Sequence, residues 1–310
     1  VKKTNEARRL YKSEEAKRAF LARYEEILAK WQTAAGADLE AAGSGPGAKS
    51  GHGAGFERIR IPTSVGETLV LAFGPRASER PPLLLLHGTL SNSCMWMGDM
   101  ATYAQGRRVY AIDIPGEPGL SAETSLDWQG KGAALWLGEV AAALGLGRFD
   151  LCGLSIGGWI ALSYAIGRPA ELRSLILLAP SGIGRTKPSF IFKALLQMPR
   201  GEEGYRAIAT SLYGDFEPPE GALEAGMEFS RATNPRQESP RIFTNEELAG
   251  IQARLFMAVG SKDPMLHSRE SRRRLARAKP EAEIFYLHGA GHALLGLAPL
   301  VVGFLGREAP

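Results

Sequence analysis

The chain has 310 residues, 45% of them hydrophobic and 23% charged, with a formal net charge of +4. Such a composition suits a globular protein with a sizeable core and argues against extensive disorder. The excess charge is local: the first 30 residues hold nine Lys or Arg against five Asp or Glu, and the remainder holds 28 of each, so the neutral body argues against a nucleic-acid partner, which would need a basic groove.

The lysine-rich start runs into further charged residues where a secretory signal would be apolar, and no stretch has the length of a membrane span. The expectation is a cytoplasmic protein without a membrane span. Cys94 and Cys152 offer neither a disulfide framework nor metal-ligand spacing and read as buried free thiols. Phe20, Leu21, Tyr24, Ile27, Leu28 and Trp31 recur at three- and four-residue steps. This predicts an N-terminal amphipathic helix, residues 1–35, whose apolar stripe must pack on the domain or on a second copy. Residues 36–55, "GADLEAAGSGPGAKSGHGAG", have little to bury and read as a Gly/Ala/Ser-rich linker, His52 included.

From Phe56 the pattern turns to strands. "FERIRIP" and "ETLVLAFG" flank a Gly-containing turn, "TSVGE", as in a hairpin. The runs "PLLLLHG", "RVYAIDI", "FDLCGLS", "SLILLAP" and "RLFMAVG" are short and almost continuously apolar, which suits strands buried on both faces of a parallel sheet. Helical segments separate most of them, "EIFYLHG" supplies a last strand, and "HALLGLAPLVVGFL" a closing helix. The architecture expected is α/β: a mostly parallel central sheet flanked by helices. Between "LLAPSG" and "ARLFMAVG" about seventy residues intervene, too many for a simple crossover. The organisation read from this is a core of residues 56–181 and 251–310 with a helical cap, 182–250, over the carboxyl ends of the strands, where open α/β sheets place ligands. A dimerisation arm is the alternative for the insertion.

The stretch "LCGLSIGGWIAL", residues 151–162, puts Ser155 in a G-x-S-x-G setting between an apolar strand and a helix. That is the context of a strained strand-to-helix turn that holds a serine hydroxyl outward. A serine needs a base, and the base an orienting carboxylate. "HGAGHALL" offers His292 past the last strand and "VGSKDPM" offers Asp263 past the preceding one, giving the chain order Ser, Asp, His expected of such a fold. His288 is the alternative base. Residues 179–189 contain no Asp or Glu, which removes the rival position for the acid. Backbone amides of Ile156, at the helix start, and of Thr89, in the loop after "LLLLHG", are the expected oxyanion donors. His87 is read as a brace for that loop, and Leu90 and Met265 as candidate pocket residues.

Through "HGT", "DIPGEPGLS", "GLSIGG", "GSKDP" and "GAGHAL", the sequence from about Phe56 onward resembles an α/β-hydrolase-fold serine hydrolase. "YKSEEAKRAFLARYEEILAKW" and "PRIFTNEEL" are also similar to a group of bacterial α/β hydrolases described as carboxylesterases, which implies a bacterial source and no definite substrate. Relatives with an aspartate nucleophile are disfavoured by Ser155, and the loop "HGTLSNS" lacks both the H-G-x-G-P-G and the H-G-G-G patterns. The reading is therefore a serine hydrolase acting through an acyl-enzyme on a small acyl compound: a carboxylic ester, thioester, lactone or small peptide, or perhydrolysis. It needs no metal or organic cofactor, and a homodimer through the N-terminal helix or the cap is open. The alternative is a catalytically silent, ligand-binding member of the same fold.

Overall fold

A computed structural model describes residues 9–42, 57–167, 170–234, 236, 238–294 and 296–307. Helix α1, Glu14–Ala42, precedes the hairpin β1, Glu57–Thr63, and β2, Gly66–Phe73. Strand β3, Leu83–Leu86, leads through a 3-10 turn, Ser93–Asp99, and short α2, Met100–Tyr103, to β4, Val109–Ile112. Helix α3, Gly132–Ala143, β5, Phe149–Leu154, α4, Ile156–Gly167, and β6, Leu172–Leu178, follow. The insertion carries α5, Pro188–Gln197, α6, Gly201–Ser211, α7, Ala222–Ala232, and α8, Asn245–Ala249. Strand β7, Arg254–Gly260, α9, Ser268–Ala278, β8, Glu283–Leu287, and α10, Ala298–Leu305, close the described chain.

The strands form one sheet in the order β1-β2-β4-β3-β5-β6-β7-β8. Pairing is antiparallel at β1/β2 and β2/β4 and parallel from β4 onward, so the carboxyl ends of β3 to β8 lie along one edge. Side chains alternate faces along a strand, and both faces here are apolar. Leu84, Leu86, Leu151, Leu175, Leu177, Leu255 and Met257 enter a core shared with α3 and α4. Leu83, Leu85, Cys152, Ile176, Leu178, Phe256 and Ala258 enter a second core with α1, α2 and α10. A sheet covered twice explains why its strands read as unbroken apolar runs.

Helix α1 belongs to this second core. Tyr24, Leu28 and Trp31 are buried there, with the Trp31 and Phe73 rings 4.4 Å apart. Its first turns and the residues just ahead of it meet the insertion: Phe20 packs edge-on against Phe229 of α7 at 5.0 Å, the Lys12 amide donates to Ala232 at 2.9 Å, and the Asn234 amide to Leu10 at 2.8 Å. The apolar stripe is thus covered within the same chain. Both of its boundaries differ from the sequence reading. The helix starts at Glu14 and runs on to Ala42, through the first seven residues assigned to the linker. Ala37, Leu39, Glu40, Ala41 and Ala42 are strong helix formers, and one interior glycine, Gly36, costs only about 1 kcal/mol relative to alanine. The rest of that linker, residues 43–55 with His52, lies outside the described residues. Among the described residues no helix is long and apolar enough to cross a membrane.

Candidate active site

The turn between β5 and α4 holds Ser155 at φ +53°, a left-handed conformation that ordinary residues rarely adopt. The strain is sustained by packing on all sides. The Ser155 amide donates to Leu178 of the next strand at 2.9 Å, and its carbonyl accepts from Ser181 at 3.0 Å. The flanking glycines are sterically required: a Cβ on Gly153 would sit 2.3 Å from the Gly157 carbonyl oxygen, and one on Gly157 2.4 Å from that of Leu86. Small neighbours let the elbow press against the strand and against the loop after β3.

The loops after β7 and β8 bring two further side chains to this edge. His292 Nε2 lies 2.9 Å from Ser155 Oγ, and His292 Nδ1 lies 2.8 Å from Asp263 Oδ2. A proton on Nδ1, donated to the carboxylate, leaves Nε2 as the acceptor facing the hydroxyl. Asp263 is itself oriented, since its Oδ1 accepts from the amides of Met265 at 2.7 Å and Leu266 at 2.9 Å. Burial alone would raise its pKa, but the His292 ring and these two amides more than offset it and hold the carboxyl below its ordinary value. Ser155 and His292 are each 7% exposed and Asp263 1%, so the line of hydrogen bonds is shielded from water along its length.

His288 stands apart: it is exposed on the surface, with the ring of Tyr286 at 6.0 Å. His87 is buried, bonded through Nδ1 to the Gly88 carbonyl at 2.8 Å and accepting at Nε2 from the Ile114 amide at 2.9 Å. Burial lowers its pKa and keeps the ring neutral, as a brace between the loops after β3 and β4 requires. Gly88 lies against the serine, so that a Cβ there would be 3.7 Å from Ser155 Cβ. The next amide, that of Thr89, has no acceptor among the described residues, and that of Ile156 opens α4, ahead of the helical hydrogen-bond ladder.

Beside the serine is a cavity of about 800 Å³. Leu154 and Leu90 line it at the site end, with Tyr24 and Trp96 on the core side and Tyr205 and Phe229 from the insertion. Met265 is not among its walls, a correction to its expected role: the amide of that residue is engaged by Asp263, which fixes the acid rather than a pocket. Two contributions went unread in the sequence. Helix α1 forms part of the cavity through Phe20, Tyr24 and Ile27. Asp113, in "DIPGEPGLS", accepts from Tyr24 Oη at 2.9 Å and from the amides of Ser93 and Leu120, both at 2.9 Å, tying that helix to the loops at the strand edge. The aromatic position of Tyr24 in the apolar stripe was visible; its distant partner was not.

The sheet order and the serine elbow are those of an α/β hydrolase. Residues 83–302 match the model of the alpha/beta hydrolase family, and the chain belongs to that family. It is similar to carboxylesterase YbfK of Bacillus subtilis, 29% identical over 250 residues, covering 77% of this chain and 82% of that protein. The carboxylesterase nap of the same organism is 27% identical over 251 residues, 76% of this chain and 80% of the relative. The crystal structure of carboxylesterase CesB (YbfK) from Bacillus subtilis superposes with a TM-score of 0.76 at 24% identity, covering 95% of this chain and 100% of the other.

Proposed function

We propose that the protein is a serine carboxylesterase, with Ser155 as nucleophile, His292 as general base and acid, and Asp263 as the orienting carboxylate. The observation that carries this reading is the continuous line from Ser155 Oγ through His292 to Asp263, with contacts of 2.9 and 2.8 Å. The similarity to carboxylesterases over three quarters of the chain supports ester substrates over other acyl compounds.

In the proposed cycle His292 Nε2 takes the hydroxyl proton as Ser155 Oγ attacks the ester carbonyl. The resulting imidazolium is stabilised by Asp263, which is already ionised. The oxyanion of the tetrahedral intermediate is held by the amides of Thr89 and Ile156, which leads to the largest expected contribution to rate, since such donors are aimed at charge that exists only in the transition state. His292 then protonates the leaving alcohol, an acyl-enzyme remains, and water deacylates it with the same base. The cavity takes the acyl group, and its apolar walls favour chains longer than acetyl. In this scheme residues 182–250 act as a cap: α6 and α7 shape the cavity but supply no reacting group.

The test is labelling with a fluorophosphonate, whose phosphorus mimics the tetrahedral centre. Modification is expected to be stoichiometric, to map to "GLSIGG", to disappear in Ser155→Ala and to slow strongly in His292→Ala. Folded wild-type protein that resists the reagent, or reacts equally well without His292, would sink the assignment. A ladder of p-nitrophenyl esters then ranks acyl length.

A further inference from the structure

We propose that Glu117 and Arg236 are positioning residues for the oxyanion loop, so that the segment joining α7 to α8 sets the reactivity of Ser155 without touching substrate. This rests on the reading of Ser155 as nucleophile and Thr89 as oxyanion donor.

The loop after β3 contains an outlier. Leu90 lies at φ +52°, where a branched apolar side chain is unfavourable and persists only if its surroundings hold it. Its amide donates to Glu117 Oε2 at 2.8 Å, a charge-assisted bond stronger than one to a carbonyl. Neighbouring groups are held too. The Gly88 carbonyl is bonded by His87, the Ser93 amide by Asp113 at 2.9 Å, and the Cys94 amide by Asn92 Oδ1 at 3.1 Å. Of the two successive amides at Thr89 and Leu90, Glu117 therefore engages the second, and the first, without an acceptor among the described residues, is the one assigned to the oxyanion.

The charge on Glu117 itself has to be accounted for. Its side chain is fully buried, and a carboxylate so placed would be expelled or protonated without a cation. Arg236 supplies one, forming an ion pair with Glu117 while its own side chain is only 4% exposed. The guanidinium is fixed from the other side by the Trp128 ring, 3.7 Å below it. Arg236 comes from the far end of the insertion, and its segment is anchored independently: Gln129 Nε2 donates to the Ser239 carbonyl at 2.8 Å and the Arg241 amide to the Trp128 carbonyl at 3.3 Å. The segment thus stays in place when the ion pair is removed, and what changes is the grip on Leu90. A relaxed Leu90 would let the Thr89 amide swing away from the developing oxyanion.

The experiment compares Glu117→Ala, Glu117→Gln and Arg236→Met with wild type. The readouts are kcat and KM on p-nitrophenyl acetate and the second-order rate of fluorophosphonate labelling, each per folded molecule by circular dichroism. Loss of one oxyanion donor costs about 10²–10³ in kcat; a displaced donor is expected to cost about 10- to 100-fold in Glu117→Ala and Arg236→Met, with labelling slowed in parallel and KM changed less than about threefold. Glu117→Gln keeps an oxygen for the Leu90 amide and should recover most of the loss. A merely structural role would lower melting temperature without this split or this rescue. Folded Glu117→Ala with wild-type kcat and labelling overturns the proposal. Should the single variants fail to fold, the double variant Glu117→Ala/Arg236→Met removes both buried charges and the acceptor of the Leu90 amide together; about tenfold slower labelling supports the proposal and wild-type labelling overturns it. If the wild-type protein is itself not labelled at Ser155, the esterase reading fails and carries this one with it.

Discussion

Asp263 shows how much one side chain is asked to do. Its Oδ2 is bonded to His292 Nδ1 while Oδ1 is held by two amides, so Asp263→Asn keeps the shape and loses the charge that, in the proposed cycle, stabilises an imidazolium. Turnover of p-nitrophenyl acetate is expected to fall by roughly 10³ to 10⁴ with an unchanged far-ultraviolet spectrum; near-normal turnover would refute the assignment. The same carboxyl links stability to pH. Because its folded pKa lies below the ordinary value, the stability it contributes is fully present above the unfolded carboxylate range, about pH 4, and is lost as pH falls through the lower folded value. Urea midpoints of wild type and Asp263→Asn should differ most at neutral pH and converge towards pH 3. A gap that widens on acidification would contradict the sign.

At the scale of elements, two adjoining helical units, α1 and the insertion, share the lining of the cavity. Tyr205 of α6 and Phe229 of α7 form walls without contacting the serine, so Phe229→Ala should shift preference towards longer acyl chains, with a larger change in KM than in kcat. Specificity profiles across the p-nitrophenyl ester ladder would show it, and a uniform loss on all chain lengths would not fit. Helix α1 is a structural wall as well as a lining one. Leu28 is fully buried against the sheet, and Leu28→Ala is expected to cost about 2–5 kcal/mol through lost burial and the cavity left behind. Denaturant unfolding measures this; a loss below about 1 kcal/mol would mean that the helix is only loosely attached.

Across the whole molecule, legibility followed the range over which physical constraints act. Strands such as Leu83–Leu86 and residues 175–178 of β6 were readable because burial on both faces leaves no polar positions there, and the serine elbow because its small-residue pattern falls within six residues. Asp263 and His292 could be nominated because strand ends of a parallel sheet share one edge. What stayed hidden depended on distant pairing. Tyr24 bonds Asp113 across 89 positions, and Glu117 meets Arg236 from opposite ends of the core and insertion; neither local pattern nor periodicity carries such a partner. Met265 failed for the opposite reason, since its place beside the acid was visible but the competing use of its backbone was not.

The placement of α1 also bears on the route by which the chain reaches its native state. The helix comes early in the sequence, yet partners of its start come late: Phe20 meets Phe229, and just ahead of the helix Lys12 reaches Ser230 across 218 positions and Asn234 reaches Arg9 across 225. Contacts that close such long loops bear their entropic cost before they gain anything from burial, so docking of α1 should follow assembly of the sheet and insertion. Substitutions on its buried stripe then act after the rate-limiting barrier: Leu28→Ala should accelerate unfolding and leave the main refolding rate nearly unchanged, a low φ-value in chevron analysis. A refolding arm slowed in proportion to the lost stability would place α1 in the nucleus instead. With late docking, the cavity wall that α1 provides is fitted last, onto a Ser155–His292–Asp263 line already assembled.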